Sequence, residues 1–483
     1  MSTVSMLING EARMSRNGRV FERRNPLDGT VASTAPAGTV ADAIEAADAA
    51  AAAFVHWSMT GPSQRRALLL EAASRLLALA DDIAQAMAAE VGASKLWAQF
   101  NVRLGADMLR EAASLTTQIA GEVIPSDTPG SLALAMRQAA GVVLGIAPWN
   151  APVILGVRAL AVPLACGNTV VMKGSELCPQ THGLVVRALH EAGLPPGTVN
   201  FVTNAPKDAA DVVQAIIAHP AVRRVNFTGS THVGRIIAQH CATHLKPSVL
   251  ELGGKAPLIV LDDADVDAAV DAATFGAFAN SGQICMSTER MLVDERVADE
   301  FAAKLKARAV ALPIGDPRSG LVVLGSVVDM STVARANALI DDALAKGARL
   351  LCGGPAASTV MAATLLDFVT PEMRLFREET FAPVKAIVRV KDELDAIRCA
   401  NDSPFGLSAA VFTRDIARGL RVAQRVQSGI CHVNGPTVHD EAQMPFGGVK
   451  DSGWGRFGGR AGVEAFTDLR WITVQAGERH YPF

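Results

Sequence analysis

Gly282-Gln283-Ile284-Cys285-Met286-Ser287 places a thiol in a short turn, after an apolar helical stretch and ahead of a strand. A thiol acts as a nucleophile when substrate can reach it and the local field favours thiolate. The plainer reading of a free cysteine is a small buried hydrophobe. That reading suits Cys166, Cys178, Cys241, Cys352, Cys399 and Cys431, none of which sits in such a turn.

Two other strand ends carry groups that complete a carbonyl chemistry. Glu251 stands ahead of Leu252-Gly253-Gly254-Lys255, and a carboxylate in apolar surroundings there has a raised pKa and can act as a general base. Asn150, in Ala147-Pro148-Trp149-Asn150-Ala151-Pro152, has an amide able to donate to a developing oxyanion. Each has a bland alternative: a strand-terminal surface Glu, and an Asn that ties down a proline-rich loop. No His lies close in sequence to Cys285, although the chain has 10. A spatial Cys–His pair defines a rival reading, a cysteine hydrolase without redox chemistry.

Two more turns have the form of nucleotide contacts. Gly229-Ser230-Thr231-His232-Val233-Gly234 follows the run RRVNFT and opens a helix, whose free N–H groups and dipole attract phosphate. Its spacing is not the GxGxxG fingerprint, so by itself it is equally a packing turn. Lys173-Gly174-Ser175-Glu176 ends the run NTVVMK, and a Lys and a Glu there could hold a ribose, although such an isolated pair is more often a solvated loop.

The elements that must position these turns are legible in the hydrophobic pattern. Residues 40 to 120 are alanine-rich with apolar residues at three- and four-residue spacing, which predicts helices. From residue 141 short apolar runs (GVVLGIA, NTVVMK, VNFV, RRVNFTG, SVLEL) alternate with helical stretches, and a second such series starts after Gly254. This alternation predicts right-handed βαβ units and parallel, doubly wound sheets. A break near residues 251–255 separates two α/β domains facing each other across a cleft.

With 483 residues the chain exceeds one ordinary core. Its 45 basic and 48 acidic side chains nearly cancel, which gives no electrostatic reason to expect a nucleic-acid or anionic-membrane partner. Seven cysteines without a CxxC predict neither a disulfide framework nor a zinc site, so no metal and a reducing cytoplasm are expected. The uncharged run Ala139–Val157 is nearly long enough to span a bilayer, but Pro148, Asn150 and Pro152 break it into strand, loop and buried helix.

Taken together, APWN, FTGS, ELGGK, GQIC, EETFAPV and PFGGVKDSGWGR, in that order, resemble the aldehyde dehydrogenase superfamily from about Met6 to the C-terminus. The 34-residue separation of Glu251 and Cys285 is similar to the family's as well. The resemblance implies an α/β, aldehyde dehydrogenase-like fold: two doubly wound parallel-sheet domains across a cleft plus a small β oligomerisation arm. Residues 1–118 with 138–250 would bind NAD, residues 251–462 would form the catalytic domain, and residues 119–137 with 463–483 the arm. It implies Cys285 as nucleophile, Asn150 as oxyanion donor and Glu251 as the base for thioester hydrolysis. Lys173 and Glu176 resemble adenosine-ribose contacts, Gly229 and Ser230 pyrophosphate contacts, and Glu379, Phe381 and Trp149 nicotinamide-side contacts. Glu176 would repel a 2′-phosphate, so NAD is expected, with NADP as the alternative. A homodimer or homotetramer is expected.

Departures from the family pattern are Gly174, Ala382 and the GSVVD stretch at 325–329. The segments RQAAGVVLGIAPWNAPVILGVRALAVPLACGN and NGPTVHDEAQMPFGG look most like the aromatic-aldehyde branch, with substrates of the vanillin, salicylaldehyde or benzaldehyde type. Trp97 as an aromatic wall and Arg158 as a donor to a ring hydroxyl would suit that branch; a core tryptophan and a helix-surface arginine are the alternatives. An aliphatic semialdehyde of the succinate semialdehyde type is the rival substrate, and two cationic side chains at the pocket mouth would favour it.

Overall fold

The computed structural model of the chain describes residues 2–483. An eight-stranded sheet runs, from one edge to the other, through Gly453–Trp454, Ser248–Glu251, Val222–Thr228, Val142–Ile146, Thr169–Lys173, Val199–Val202, Met6–Ile8 and Glu11–Arg13. Its five central strands are parallel. Every residue of Val142–Ile146 and of Thr169–Lys173 is buried, as expected of continuous apolar strands covered on both faces. From Val142–Ile146 the chain winds outward in one direction to Val199–Val202, then crosses back to Val222–Thr228 on the other side. The crevice where that order reverses is where open α/β sheets bind ligands, beyond the strands' carboxyl ends.

A seven-stranded sheet has the order Arg349–Cys352, Thr364–Asp367, Val384–Val390, Thr288–Asp294, Ala256–Val260, Ser408–Phe412 and Ile430–Val433. All its pairings are parallel except that of the edge strand Arg349–Cys352. Leu252–Lys255 alone separate the last parallel strand of the first sheet from the first strand of the second. A third, three-stranded antiparallel sheet joins Thr467–Gln475, Ser131–Ala139 and Glu122–Ile124.

The uncharged run resolves as the strand Val142–Ile146, a loop, and the helix Pro152–Ala165, which is buried at every position. Among the described residues no helix is long and apolar enough to cross a membrane. Three features depart from the pattern-based expectation. Within the helical stretch 40–120, the continuous run 65–91 is broken at Leu79 (φ −89°, ψ 10°), between the helices Pro62–Ala78 and Ala80–Val91. The N-terminal segment forms strands, of which Met6–Ile8 adds antiparallel to Val199–Val202. Gly453–Trp454 returns antiparallel to Ser248–Glu251 and so belongs to the first sheet.

Candidate active site

The carboxyl ends of the first sheet face the amino ends of the second. Asn150 and Gly229 follow the strands Val142–Ile146 and Val222–Thr228, and Glu251 closes Ser248–Glu251. Opposite them, Cys285 precedes Thr288–Asp294 and Glu379 with Phe381 precedes Val384–Val390. These residues line one cavity of about 350 Å³.

Cys285 reaches it through an unusual piece of backbone. After the helix Val266–Phe278, Asn280 (φ 49°), Ser281 (φ 55°) and Gly282 (φ 72°) are all left-handed. A Cβ on Gly282 would lie 2.4 Å from the Ala382 carbonyl oxygen, so only glycine fits this turn. Cys285 is partly exposed, while Cys166, Cys178, Cys241 and Cys399 are buried. Cys352 and Cys431 are also half-buried, but neither lines this cavity. Burial pushes the Cys285 thiol well above its ordinary value, and the Glu251 carboxylate adds to that.

Glu251 is buried, and among the described residues neither of its carboxylate oxygens has a hydrogen-bond partner. Burial pushes its carboxyl up to about 7; the positive charge of Arg158 and the nearby Cys285 thiol pull the other way. A buried carboxylate left without donors is costly to the fold, and such groups are retained where they serve chemistry. The bland surface-Glu alternative is thereby set aside.

The Asn150 side-chain amide donates to the Gln283 carbonyl at 3.1 Å. Its backbone carbonyl accepts from Trp97 Nε1 and from Asn280 Nδ2, each at 2.9 Å. Asn150 therefore does tie down its loop, yet one amide hydrogen stays uncommitted beside the thiol turn.

At the carboxyl end of Val222–Thr228, Ser230 caps the helix Thr231–Thr243 by accepting from the Val233 N–H. A Cβ on Gly229 would lie 2.5 Å from the Phe227 ring, so glycine keeps this turn close against the strand. The Lys173 ammonium bonds the Glu176 carboxylate, which also accepts from Asn204 Nδ2 at 2.8 Å. Asn204 Oδ1 is buried and unpartnered, an acceptor left over at this corner. Glycine at 174 has its own reason: a Cβ there would lie 2.6 Å from the Phe201 ring. Glu379 accepts the Gly254 N–H at 2.9 Å, and burial pushes its carboxyl up to about 7. Phe381 (φ 46°) meets Trp149 edge-on with ring centroids 5.8 Å apart. A helix N-terminus, a carboxylate pinned at one sheet end, a second beside the thiol and an aromatic corner together fit a nicotinamide dinucleotide.

Trp97 and Arg158 have less simple placements. Trp97 is buried and stacks on Phe100 at 5.3 Å, but it also lines an open groove of about 550 Å³ with Leu96, Phe100 and Phe275. It is a core side chain at the edge of that groove, which adjoins the thiol turn through Asn280 but shares no lining residue with the Cys285 cavity. Arg158 is not a surface residue: it is 6% exposed, ion-paired to Asp440, and packs over the Phe446 ring at 4.1 Å. It acts electrostatically on both Glu251 and Cys285.

Sequence reasoning passed over Gln283, Asn204, Asp440 and Glu289. Gln283 lies in the thiol turn itself but gains its role from Asn150, and Asn204, Asp440 and Glu289 sit in no glycine-marked turn and gain their places through partners that the local pattern does not announce. Among the described residues no group of three or more His, Cys, Asp or Glu side chains could hold a metal ion.

Two facing parallel sheets with a thiol and a buried carboxylate between them mark a cleft dehydrogenase. The chain belongs to the aldehyde dehydrogenase family, whose model matches residues 13–472. It is 60% identical over 482 residues to a vanillin dehydrogenase of Pseudomonas fluorescens, covering 100% of both chains. It is 50% identical over 479 residues to a salicylaldehyde dehydrogenase of Pseudomonas sp. (strain C18), covering 99% of each. Among solved structures, the salicylaldehyde dehydrogenase from Pseudomonas putida G7 complexed with salicylaldehyde superposes with a TM-score of 0.98, at 50% identity and 100% coverage of both chains. The enzyme is thus an NAD(P)-dependent oxidoreductase acting on a small aldehyde.

Proposed function

We propose that the chain oxidises an aromatic aldehyde, of the vanillin, salicylaldehyde or benzaldehyde type, to its carboxylic acid with NAD. The observation that carries the mechanism is the Glu251 carboxylate, buried against the Cys285 thiol with no other hydrogen-bond donor among the described residues. Cys285 passes its proton to solvent water and its sulfur bonds the aldehyde carbon, forming a thiohemiacetal whose oxygen carries the negative charge. The uncommitted Asn150 amide hydrogen stabilises the oxyanion. NAD held in the cleft would supply the oxidant of this step, as acceptor of the hydride on that carbon. The carbonyl re-forms as a thioester on Cys285. Glu251 takes a proton from water, the hydroxide attacks the thioester, and the acid leaves with return of the thiol.

The adenosine ribose rests on Lys173 and Glu176, the pyrophosphate on Gly229 and Ser230, and the nicotinamide side on Glu379, Phe381 and Trp149. Glu176 is held between Lys173 and Asn204, where its charge opposes a 2′-phosphate, and this supports NAD over NADP. Residues 1–118 with 138–250 form the nucleotide domain, whose sheet the returning strand Gly453–Trp454 joins, and the rest of 251–462 forms the catalytic domain. Residues 119–137 and 463–483 form the arm on which a homodimer or homotetramer assembles. Val123, Leu469 and Trp471, at 70%, 62% and 79% exposure on the three-stranded sheet, support that use of the arm. The free thiols of all seven cysteines support a cytoplasmic setting.

The aromatic substrate rests on the named relatives and on the groove walled by Trp97, Phe100 and Phe275. A succinate semialdehyde would need free cations for its carboxylate. Arg308 in the groove is paired with Asp271, and Arg158 with Asp440. The test is kcat/KM for vanillin, salicylaldehyde, benzaldehyde and succinate semialdehyde with NAD and NADP. An advantage of about 100-fold for the best aromatic substrate with NAD is expected; a preference for succinate semialdehyde overturns the reading.

A further inference from the structure

Beneath the cleft floor lies a cluster of charges that the chemistry above does not use. Glu289, in the strand Thr288–Asp294 and four residues past Cys285, is 1% exposed. Its Oε2 accepts from Lys255 Nζ at 2.7 Å and from the Thr380 backbone N–H at 3.0 Å. Its Oε1 accepts from Lys385 Nζ at 2.7 Å and from Thr380 Oγ1 at 2.6 Å. Four donors fill the carboxylate's acceptor sites. Burial pushes this carboxyl up, but the charges of Lys255 and Lys385 outweigh it and hold it at about 2.

What matters is where those donors are attached. Lys255 follows Gly254, whose N–H binds Glu379 and whose Cα packs so closely that a Cβ would lie 2.5 Å from the Cys285 carbonyl oxygen. Glu251 is four residues upstream of Lys255 on the same short segment. Thr380 directly follows Glu379 and precedes Phe381. One carboxylate therefore fastens the three segments that bear the thiol, the base and the nicotinamide-side carboxylate. Buried ion clusters add little net stability, because desolvation offsets attraction; their best-attested use is to fix register.

We propose that Glu289 is a positioning residue that holds Cys285, Glu251 and Glu379 in mutual register, acting on the last through Thr380. This rests on the roles proposed for those three residues. Misplacing reacting groups by about 1 Å can cost about 100-fold in rate, so the signature is a slower chemical step in correctly folded enzyme. Loss of folded protein alone would lower the amplitude of the first NADH burst but leave its rate constant unchanged.

The experiment compares full-length wild type, Glu289→Gln, Thr380→Val and Thr380→Ser in rapid-mixing NADH bursts with vanillin and NAD, and measures NAD binding by fluorescence. Active sites are counted by thiol titration. Glu289→Gln should slow the burst rate constant by about 100-fold, with NAD affinity changed little. Thr380→Val should slow it by about tenfold and Thr380→Ser should restore it, because serine keeps the hydroxyl. The Thr380 pair decides the matter if Glu289→Gln does not fold. Burst rates at the wild-type value in Thr380→Val and in folded Glu289→Gln, with only amplitude or melting temperature reduced, overturn the proposal. If wild type keeps turning over after alkylation of its thiol, the reading of the site fails first and the proposal with it.

Discussion

The Asn150 side-chain amide donates to the Gln283 backbone carbonyl at 3.1 Å, which fixes one sheet's loop to the turn that presents Cys285 on the other. The bond uses one amide hydrogen and leaves the second without a partner among the described residues, on a side chain that lines the same cavity as Cys285. Asn150→Ala should therefore lower kcat/KM for the aldehyde by about 10²- to 10³-fold, the cost of an oxyanion donor. NAD affinity, measured by fluorescence quenching, should stay within about twofold if the amide acts on the oxyanion rather than on the cofactor. An equal loss of NAD affinity would reassign it to loop structure.

Cys285→Ala removes the bond-forming atom and nothing else from the cleft. Turnover should fall by about 10⁴-fold or more, with NAD binding near normal. Oxidation retained in that variant would mean another residue is the nucleophile.

The Glu251 carboxyl, pushed up to about 7, gives a pH signature in two observables. Where deacylation limits turnover, kcat should rise through about pH 7 as the carboxyl ionises, then level off. Folding responds in the opposite sense. A carboxyl whose folded pKa is raised favours the folded state most below its ordinary value of 4.5, and that contribution is lost as pH rises through about 7. Glu251→Gln cannot ionise, so above pH 7 it should be more resistant to denaturant than wild type, by up to about 3 kcal/mol. At pH 4 the two should converge. A wild-type advantage that grows with pH would contradict the burial argument.

Cofactor choice should respond to a residue outside the turn that marks the site. Asn204 Nδ2 holds Glu176 at 2.8 Å. Asn204→Ala frees the carboxylate to turn away from a 2′-phosphate, so the NADP-to-NAD ratio of kcat/KM should rise by about tenfold. An unchanged ratio would mean that Lys173 alone sets the carboxylate's position.

The parallel strands, the helices between them and the three side chains that meet in the cleft were legible in the sequence because each has a local signal. Val142–Ile146 is an apolar run of strand length, and Cys285, Glu251 and Asn150 sit beside turn residues at strand ends. What stayed illegible was set by distance along the chain. Met6–Ile8 is a strand because Val199–Val202 offers it an edge, and Gly453–Trp454 because Ser248–Glu251 does. Glu289 reads as an ordinary strand residue until Lys255, Lys385 and Thr380 converge on it. Arg158 has the spacing of any helical residue, and only Asp440 and Phe446 turn it into a buried charge. The break at Leu79 has no glycine or proline to announce it.

Division of labour between thiol and carboxylate is tested most directly by the rapid-mixing NADH trace of Glu251→Gln with saturating vanillin and NAD. One burst, of one NADH per Cys285 and followed by no steady rate, is the predicted result: Cys285 is acylated and water is not activated. A linear trace without a burst, at a rate near wild type, would contradict it.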